Sequence, residues 1–172
     1  MIVAADDPSF SGEADEGSRS GSARAAGGRA GGGRNARRRS REFALQGLYQ
    51  WLVAQADLGV ILAGLVEAPG YRKCDQAHLE GILGGVVRGR EALEAMLTPH
   101  VDRPLAQVSP IERAILLIGA HELRAYPEIP YRVVINEAID LAKAYGGTDG
   151  FKFVNGVLDR VAADCGVAQG RR

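Results

Sequence analysis

Ser109–Leu123 reads SPIERAILLIGAHEL. Serine, proline and glutamate stand at the positions a helix start favours. Ser109 is placed to accept from the backbone, Pro110 takes the first helical position with its φ already fixed, and Glu112 completes a capping box. Beyond this start, Ile111, Ala114, Ile115, Leu117 and Ile118 put apolar groups nearly all round the helix. A helix without a polar face is one surrounded by others. This stretch is therefore expected to be the central buried helix of an all-α domain, ending by Tyr126-Pro127.

The segments on either side read as helices that would cover it. Downstream, Pro130 precedes a helix over about Arg132–Tyr145, with Val133, Val134, Ile135, Ala138, Ile139, Leu141 and Ala142 inward and Gly146-Gly147 at its end. Thr148 or Asp149 then caps a last helix through Phe151, Phe153, Val154, Val157, Leu158 and Val161, stopping at Gly166. Upstream, Asp102 and Pro104 suggest one short helical turn. A third helix begins near Asp75 and runs to Leu97, interrupted by Gly81, Gly84, Gly85 and Gly89, which permit close helix approach or mark a bend. Asp57 caps a second helix that ends before Pro69-Gly70. A first helix is expected over about Ala36–Gln55, with Asn35 at its N-cap. No strand alternation of any length is present. The sum is about seven helices, counting the short one.

The first helix opens awkwardly. Arg37, Arg38, Arg39 and Arg41 crowd its first turn, although a helix N-terminus already carries about half a positive charge, and each cation there costs roughly 0.3–1 kcal/mol. An anion at that position resolves the conflict, and forked guanidinium donors suit phosphate oxygens. The formal net charge of zero conceals this asymmetry. Residues 1–18 hold five acids and no Lys or Arg, and residues 19–41 hold eight arginines and no acid. At the other end of the chain, Thr148–Phe153 groups a helix start, Lys152 and two aromatic rings within about one turn. Such a set can hold a phosphate and stack an unpaired base. Phe151 and Phe153 lie about 200° apart on a helix, so both cannot face inward. Tyr49 stands between a core and a stacking role.

Other chemistries lack their signatures. His121-Glu122 begins like a zinc-binding HExxH, but Ala125 occupies the second histidine position. There is no phosphate-binding glycine loop, and Ser109 is better explained as a cap than as a nucleophile. Cys74 and Cys165 are far apart and form neither a zinc pattern nor a disulfide framework, so they are expected to be reduced thiols in a cytoplasmic protein. No apolar run reaches the ~20 residues that span a bilayer, and no signal peptide is evident. No catalytic residues, metal or cofactor are expected. Residues 1–34, rich in Gly, Ser and charge, are expected to be a disordered tail. The helical domain covers 35–166, and a basic frayed end covers 167–172.

Three blocks together, Ala36–Leu52 (ARRRSREFALQGLYQWL), Val108–Leu123 and Ile129–Asp159 (IPYRVVINEAIDLAKAYGGTDGFKFVNGVLD), resemble the transcription antitermination factor NusB family over about residues 36–160. The last block is the most specific. The resemblance implies a compact all-helical protein of two three-helix subdomains that binds the boxA element of ribosomal RNA leader transcripts. It implies NusE, a ribosomal small-subunit protein, as partner, and a role in the RNA polymerase antitermination complex. Carried over by matched position, Arg37, Arg38, Arg39 and Arg41 would contact phosphates. Tyr49, Tyr145, Asp149, Lys152 and Phe153 would form the adjoining RNA surface, with the last helix brought alongside the arginines. The exposed faces of the third and central helices would meet NusE. Two features depart from the family pattern: a longer N-terminal tail, and Gly150-Phe151 where more polar residues are expected. Competing readings are a helical module that homodimerises and the NusB-like RNA-binding part of an rRNA methyltransferase system.

Overall fold

The computed structural model describes residues 27–168. Its helices are α1 (Gly27–Ala54), α2 (Leu58–Val66), α3 (Gln76–Arg88), α4 (Arg90–Leu97), α5 (Pro110–Ala125), α6 (Tyr131–Tyr145) and α7 (Gly150–Asp164), with 3₁₀ turns at Tyr71–Lys73, Thr98–His100 and Leu105–Gln107. Among the described residues there is no strand, and no helix is long and apolar enough to cross a membrane.

Helix α5 is the hub. It packs against α1, α3 and α4 on one side and against α6 and α7 on the other. Every residue from Ala114 to Ala120 is buried, with Ile115, Leu116 and Leu117 fully enclosed. Burying each such side chain contributes about 1.5–3 kcal/mol. Its start is built as expected, since Ser109 Oγ accepts from Glu112 N at 3.3 Å. The same hydroxyl donates to the Glu112 carboxylate at 2.9 Å, where a standard capping box would turn that carboxylate to the Ser109 backbone. Between Ala114 and Ala120 α5 is enclosed and has no exposed face, so its accessible positions lie at its two ends. Helices α1, α2 and α3 form one three-helix group and α5, α6 and α7 the other.

Two boundaries differ from the sequence expectation. Helix α1 begins at Gly27, so Asn35 lies inside it and is not the N-cap, and residues 27–34 belong to a helix instead of the tail. Glycine lowers helix propensity without forbidding it, and no proline intervenes to stop the helix. The disorder expected for residues 1–26, and the fraying expected at 169–172, lie outside the described residues. Val167 and Ala168, assigned to the frayed end, are tied back by hydrogen bonds to the Ala162 carbonyl at 3.2 and 3.3 Å.

The expected third helix is two, broken at Gly89. Its glycines also serve close approach. The Tyr126 hydroxyl and the His121 ring of the α5 end occupy the space that side chains at Gly81 and Gly85 would fill. Asp57 and Asp75 cap α2 and α3 by accepting from Gly59 N at 2.8 Å and His78 N at 3.0 Å.

Candidate nucleic-acid interface

A helix turns 100° per residue, so consecutive arginines leave α1 in different directions. Arg37 points to Asp75 at the start of α3, with Nε 3.6 Å from a carboxylate oxygen. Arg38 points to α6, where Nη2 lies 3.1 Å from Asp140, both side chains being about half exposed. Arg39 lies over the turn at Gly70, whose φ of 85° and missing Cβ leave room for the guanidinium.

Arg41 does something else. It is 3% exposed, and its Nε and Nη2 donate to both Glu122 carboxylate oxygens at 2.8–3.0 Å. His78 Nε2 donates to the same carboxylate at 2.8 Å, and Glu137 stands 3.8 Å from Arg41 Nη1. The phosphate contact expected of Arg41 is therefore corrected: its donors are committed inside the protein, where they hold α1 against α5. Burial pushes Glu122 up, but the hydrogen bonds from His78 and Arg41 outweigh it and hold the carboxyl below its ordinary range. Burial holds the neighbouring His121 below the usual imidazole value. Of the His-Glu pair that begins like a metalloprotease motif, Glu122 is thus part of an internal ion-pair cluster, while the His121 ring packs edge-on against Tyr126. Among the described residues no group of three ligating side chains could hold a metal.

On the Arg38 face, α1 repeats Arg38, Glu42, Leu45 and Tyr49 at helical spacing. Tyr49 and Tyr145 are 42% and 47% exposed. They line a groove of ≈ 320 Å³ with Glu42, Leu45, Gln46, Gln50 and Ile111. Two exposed tyrosines around an apolar slot provide faces on which bases can stack. Arg38 and Asp140 sit at the neighbouring end of the same surface, in a small cleft that also includes Tyr145.

The start of α7 follows. Asp149 holds the N-cap position but its carboxylate caps nothing; it pairs with Lys152 Nζ at 3.1 Å, both well exposed. Neither Phe151 nor Phe153 is a core residue; both are half-buried at the core margin. Each ring carries a cation. Arg103 lies 5.3 Å from the Phe153 centroid, and Lys143 and Lys152 lie 5.2 and 5.9 Å from that of Phe151. Arg103 and Lys143 escaped the sequence reading because nothing in the chain ties position 103 to 153 or 143 to 151.

The two ends of the surface are bridged by the start of α5. Ile111 enters the tyrosine groove, and the Glu112 carboxylate lies against Gly147 and Gly150. Arg38, Tyr145, Tyr49, Ile111, Glu112 and the α7 turn thus form one continuous strip. Arg39 stands off it, on the α2 side of α1.

The NusB family model matches residues 38–163, most of the chain and all of this strip. The chain belongs to the NusB family. It is 59% identical over 129 residues to the transcription antitermination protein NusB of Paraburkholderia phymatum, covering 75% of this chain and 89% of that protein. Against the protein of the same name from Ralstonia nicotianae it is 55% identical, covering 75% of this chain and 83% of the relative. Among solved structures, T. maritima NusB superposes with a TM-score of 0.65 at 29% identity, over 74% of this chain and 90% of that one. A crystal structure of antitermination factors NusB and NusE in complex with dsRNA superposes with a TM-score of 0.66 at 24% identity, over 76% and 98%, and supports the shared fold. The match begins at Arg38, so Arg37 and everything before it lie outside the family's span in this NusB-family chain.

Proposed function

We propose that this chain is an RNA-binding transcription antitermination factor of the cytoplasm, without chemistry of its own. It acts with NusE on the boxA element of ribosomal RNA leader transcripts, within the RNA polymerase antitermination complex. The observation that carries the proposal is the strip in which a half-exposed arginine, two exposed tyrosines and cation-covered phenylalanines follow one another across α1, α6 and α7. The family membership and the names of its relatives support the same reading.

In this proposal Arg37 and Arg38 meet phosphates, and Arg39 extends the positive potential round α1. Tyr49 and Tyr145 stack bases, Phe153 and Lys152 provide the second stacking and charge point, and Asp149 accepts from a base amino group. Arg41 positions α1 and touches no RNA. Phosphate contacts supply affinity that falls with salt, whereas discrimination comes from unpaired bases held against side chains. The test is binding to a boxA RNA and a scrambled RNA of equal length, with and without NusE, over a salt series. Tighter binding to boxA, widening when NusE is present, is expected. Equal affinity for the two RNAs in every condition would remove the sequence-specific part. Mass in solution, measured at micromolar concentration alongside, distinguishes this from the homodimerising module, which would dimerise with the tyrosine groove covered.

A further inference from the structure

The turn between α2 and α3 carries a second group of cations, on the α2 side of α1 and away from the tyrosine groove. Residues 70–75 read GYRKCD. Tyr71 is buried with its ring edge-on to Phe43 of α1, the centroids 6.0 Å apart. Asp75 N donates to the Ala36 carbonyl at 3.2 Å, and Ser40 Oγ donates to the Asp75 carbonyl at 2.7 Å. These contacts hold the turn against α1. With Tyr71 and Cys74 inward, Arg72 and Lys73 are left facing solvent. Arg39 joins them from α1: its guanidinium lies over Gly70, in the space a Cβ there would fill, and the Lys73 amide closes onto the Gly70 carbonyl at 3.0 Å.

These cations differ in state from those of the strip. Arg37, Arg38 and Lys152 each already face a carboxylate, at 3.6, 3.1 and 3.1 Å. Among the described residues Arg39, Arg72 and Lys73 form no ion pair. Asp75, the acid closest to Arg72 and Lys73 in the chain, is the partner of Arg37, and Glu67 and Glu80 pair with none of the three. A cation with no carboxylate to give up meets a phosphate at lower cost, and each such contact releases counterions condensed on the nucleic acid. The turn is also continuous with the strip. Arg39 follows Arg38 about 100° further round a helix some 10–12 Å wide. A strand leaving the strip at Arg38 reaches the turn within about three or four nucleotides at a spacing of ~3.4 Å. The ridge it crosses carries the exposed, uncharged Asn35, with Glu42 two turns further on.

We propose that Arg39, Arg72 and Lys73 form a second phosphate-binding site, which holds the backbone of the RNA flanking the element bound on the strip. This rests on the RNA-binding function proposed above and extends it. The strip discriminates bases, whereas the turn meets phosphates alone and accepts a flank of any sequence.

The test uses the full chain and two RNAs, the boxA element alone and the same element extended on both sides by arbitrary sequence. R72Q/K73Q removes two charges from exposed positions, so its urea midpoint should match that of the native chain. At low salt the native chain is expected to bind the extended RNA several-fold tighter than the element alone. R72Q/K73Q should abolish that gain, lower the salt slope for the extended RNA by about 1–2, and leave binding of the element alone unchanged. In a measurement that needs no variant, 4-thiouridine placed in each flank in turn should crosslink to the Tyr71–Cys74 peptide from one of the two. Equal binding of the extended RNA by R72Q/K73Q and the native chain overturns the site, as do flank crosslinks confined to other peptides. An equal loss on both RNAs would mean a general positive potential with no second site. If R72Q/K73Q weakens NusE binding when no RNA is present, the turn serves a protein and the proposal falls. A native chain that binds the element but gains nothing from the flanks leaves the functional proposal standing and removes this one; a native chain that binds neither RNA removes both.

Discussion

Arg38 reaches Asp140 from a half-exposed position on the outside of α1, whereas Arg41, less than a turn further on, is sealed beneath Glu122 and His78. The two carry the same charge and the same donors. Their difference is one of angle: a step of three residues rotates the side chain by about 300°, which takes it from the α6 rim to the α5 interface. A run of arginines on a helix is therefore several separate sites. Here one of them is an internal fastening, and Arg37 and Arg38 form partly exposed ion pairs with Asp75 and Asp140.

The largest expected effect is on the buried side of this pair. Replacing Arg41 with Ala strands Glu122 in the core with His78 as its remaining donor, and breaking a buried pair in this way costs about 3–5 kcal/mol. Urea unfolding should show the whole of this loss. Arg41→Lys is expected to fall between, because one ammonium group cannot serve both carboxylate oxygens as the guanidinium fork does. A stability loss below ~0.5 kcal/mol in R41A, accompanied by lost RNA binding, would reverse the roles assigned to the two arginines.

The same cluster sets the acid response. Glu122 is held below its ordinary range, so its contribution is complete above the unfolded value of about 4.3 and is lost as pH falls through the lower folded value. Burial also depresses His121, so the unfolded chain takes up that proton first, from about pH 6.5 downwards, and stability again declines toward acid. Urea midpoints between pH 8 and 3 should fall in two stages, and His121→Asn should remove the upper one. A midpoint that rises between pH 7 and 5 would contradict the sign given to His121, and one that rises between pH 4 and 3 the sign given to Glu122.

On the exposed side, Tyr49→Ala and Tyr145→Ala should leave stability nearly untouched, since both rings face the groove. Loss of a stacking platform weakens single-strand binding by about 1–3 kcal/mol per base, roughly tenfold for each 1.4 kcal/mol. Competition with labelled boxA RNA gives the number. Equal affinity of both variants and the native chain would take the groove out of the interface.

Much of this was legible in the chain beforehand, for local reasons. The Ser109–Glu112 start, the Asp57 cap and the stop near Gly146 are written within four residues of where they act. The all-apolar face of α5 likewise announces its central place. Arg41 was misread because its fate depends on Glu122, 81 residues away, and on His78, which only the folded chain brings to it. Arg103 over Phe153 has the same origin. The start of α1 was misplaced for a different reason: glycine and arginine give a weak preference either way, and nothing caps or breaks the helix at Asn35.

The smallest effects separate the two pairs most cleanly, because they differ in sign. Arg38 and Asp140 are both about half exposed, and such a pair contributes no more than about 0.5 kcal/mol once solvent screening is allowed for. Arg38→Ala should hardly move the urea midpoint, yet it should weaken binding to boxA and scrambled RNA alike and lower the salt slope by about 1. Asp140→Asn should act the other way on RNA, since it frees the guanidinium and removes a negative charge from the strip, and Arg38→Ala made in that background should lose more affinity than in the native chain. For the buried pair no such gain is available. Glu122→Gln deprives Arg41 of its counter-charge inside the protein, so removing either partner destabilises. If Asp140→Asn lowers stability and RNA affinity together, as Glu122→Gln is expected to lower stability, then Asp140 is a fastening of the same kind and Arg38 is no more available to phosphate than Arg41.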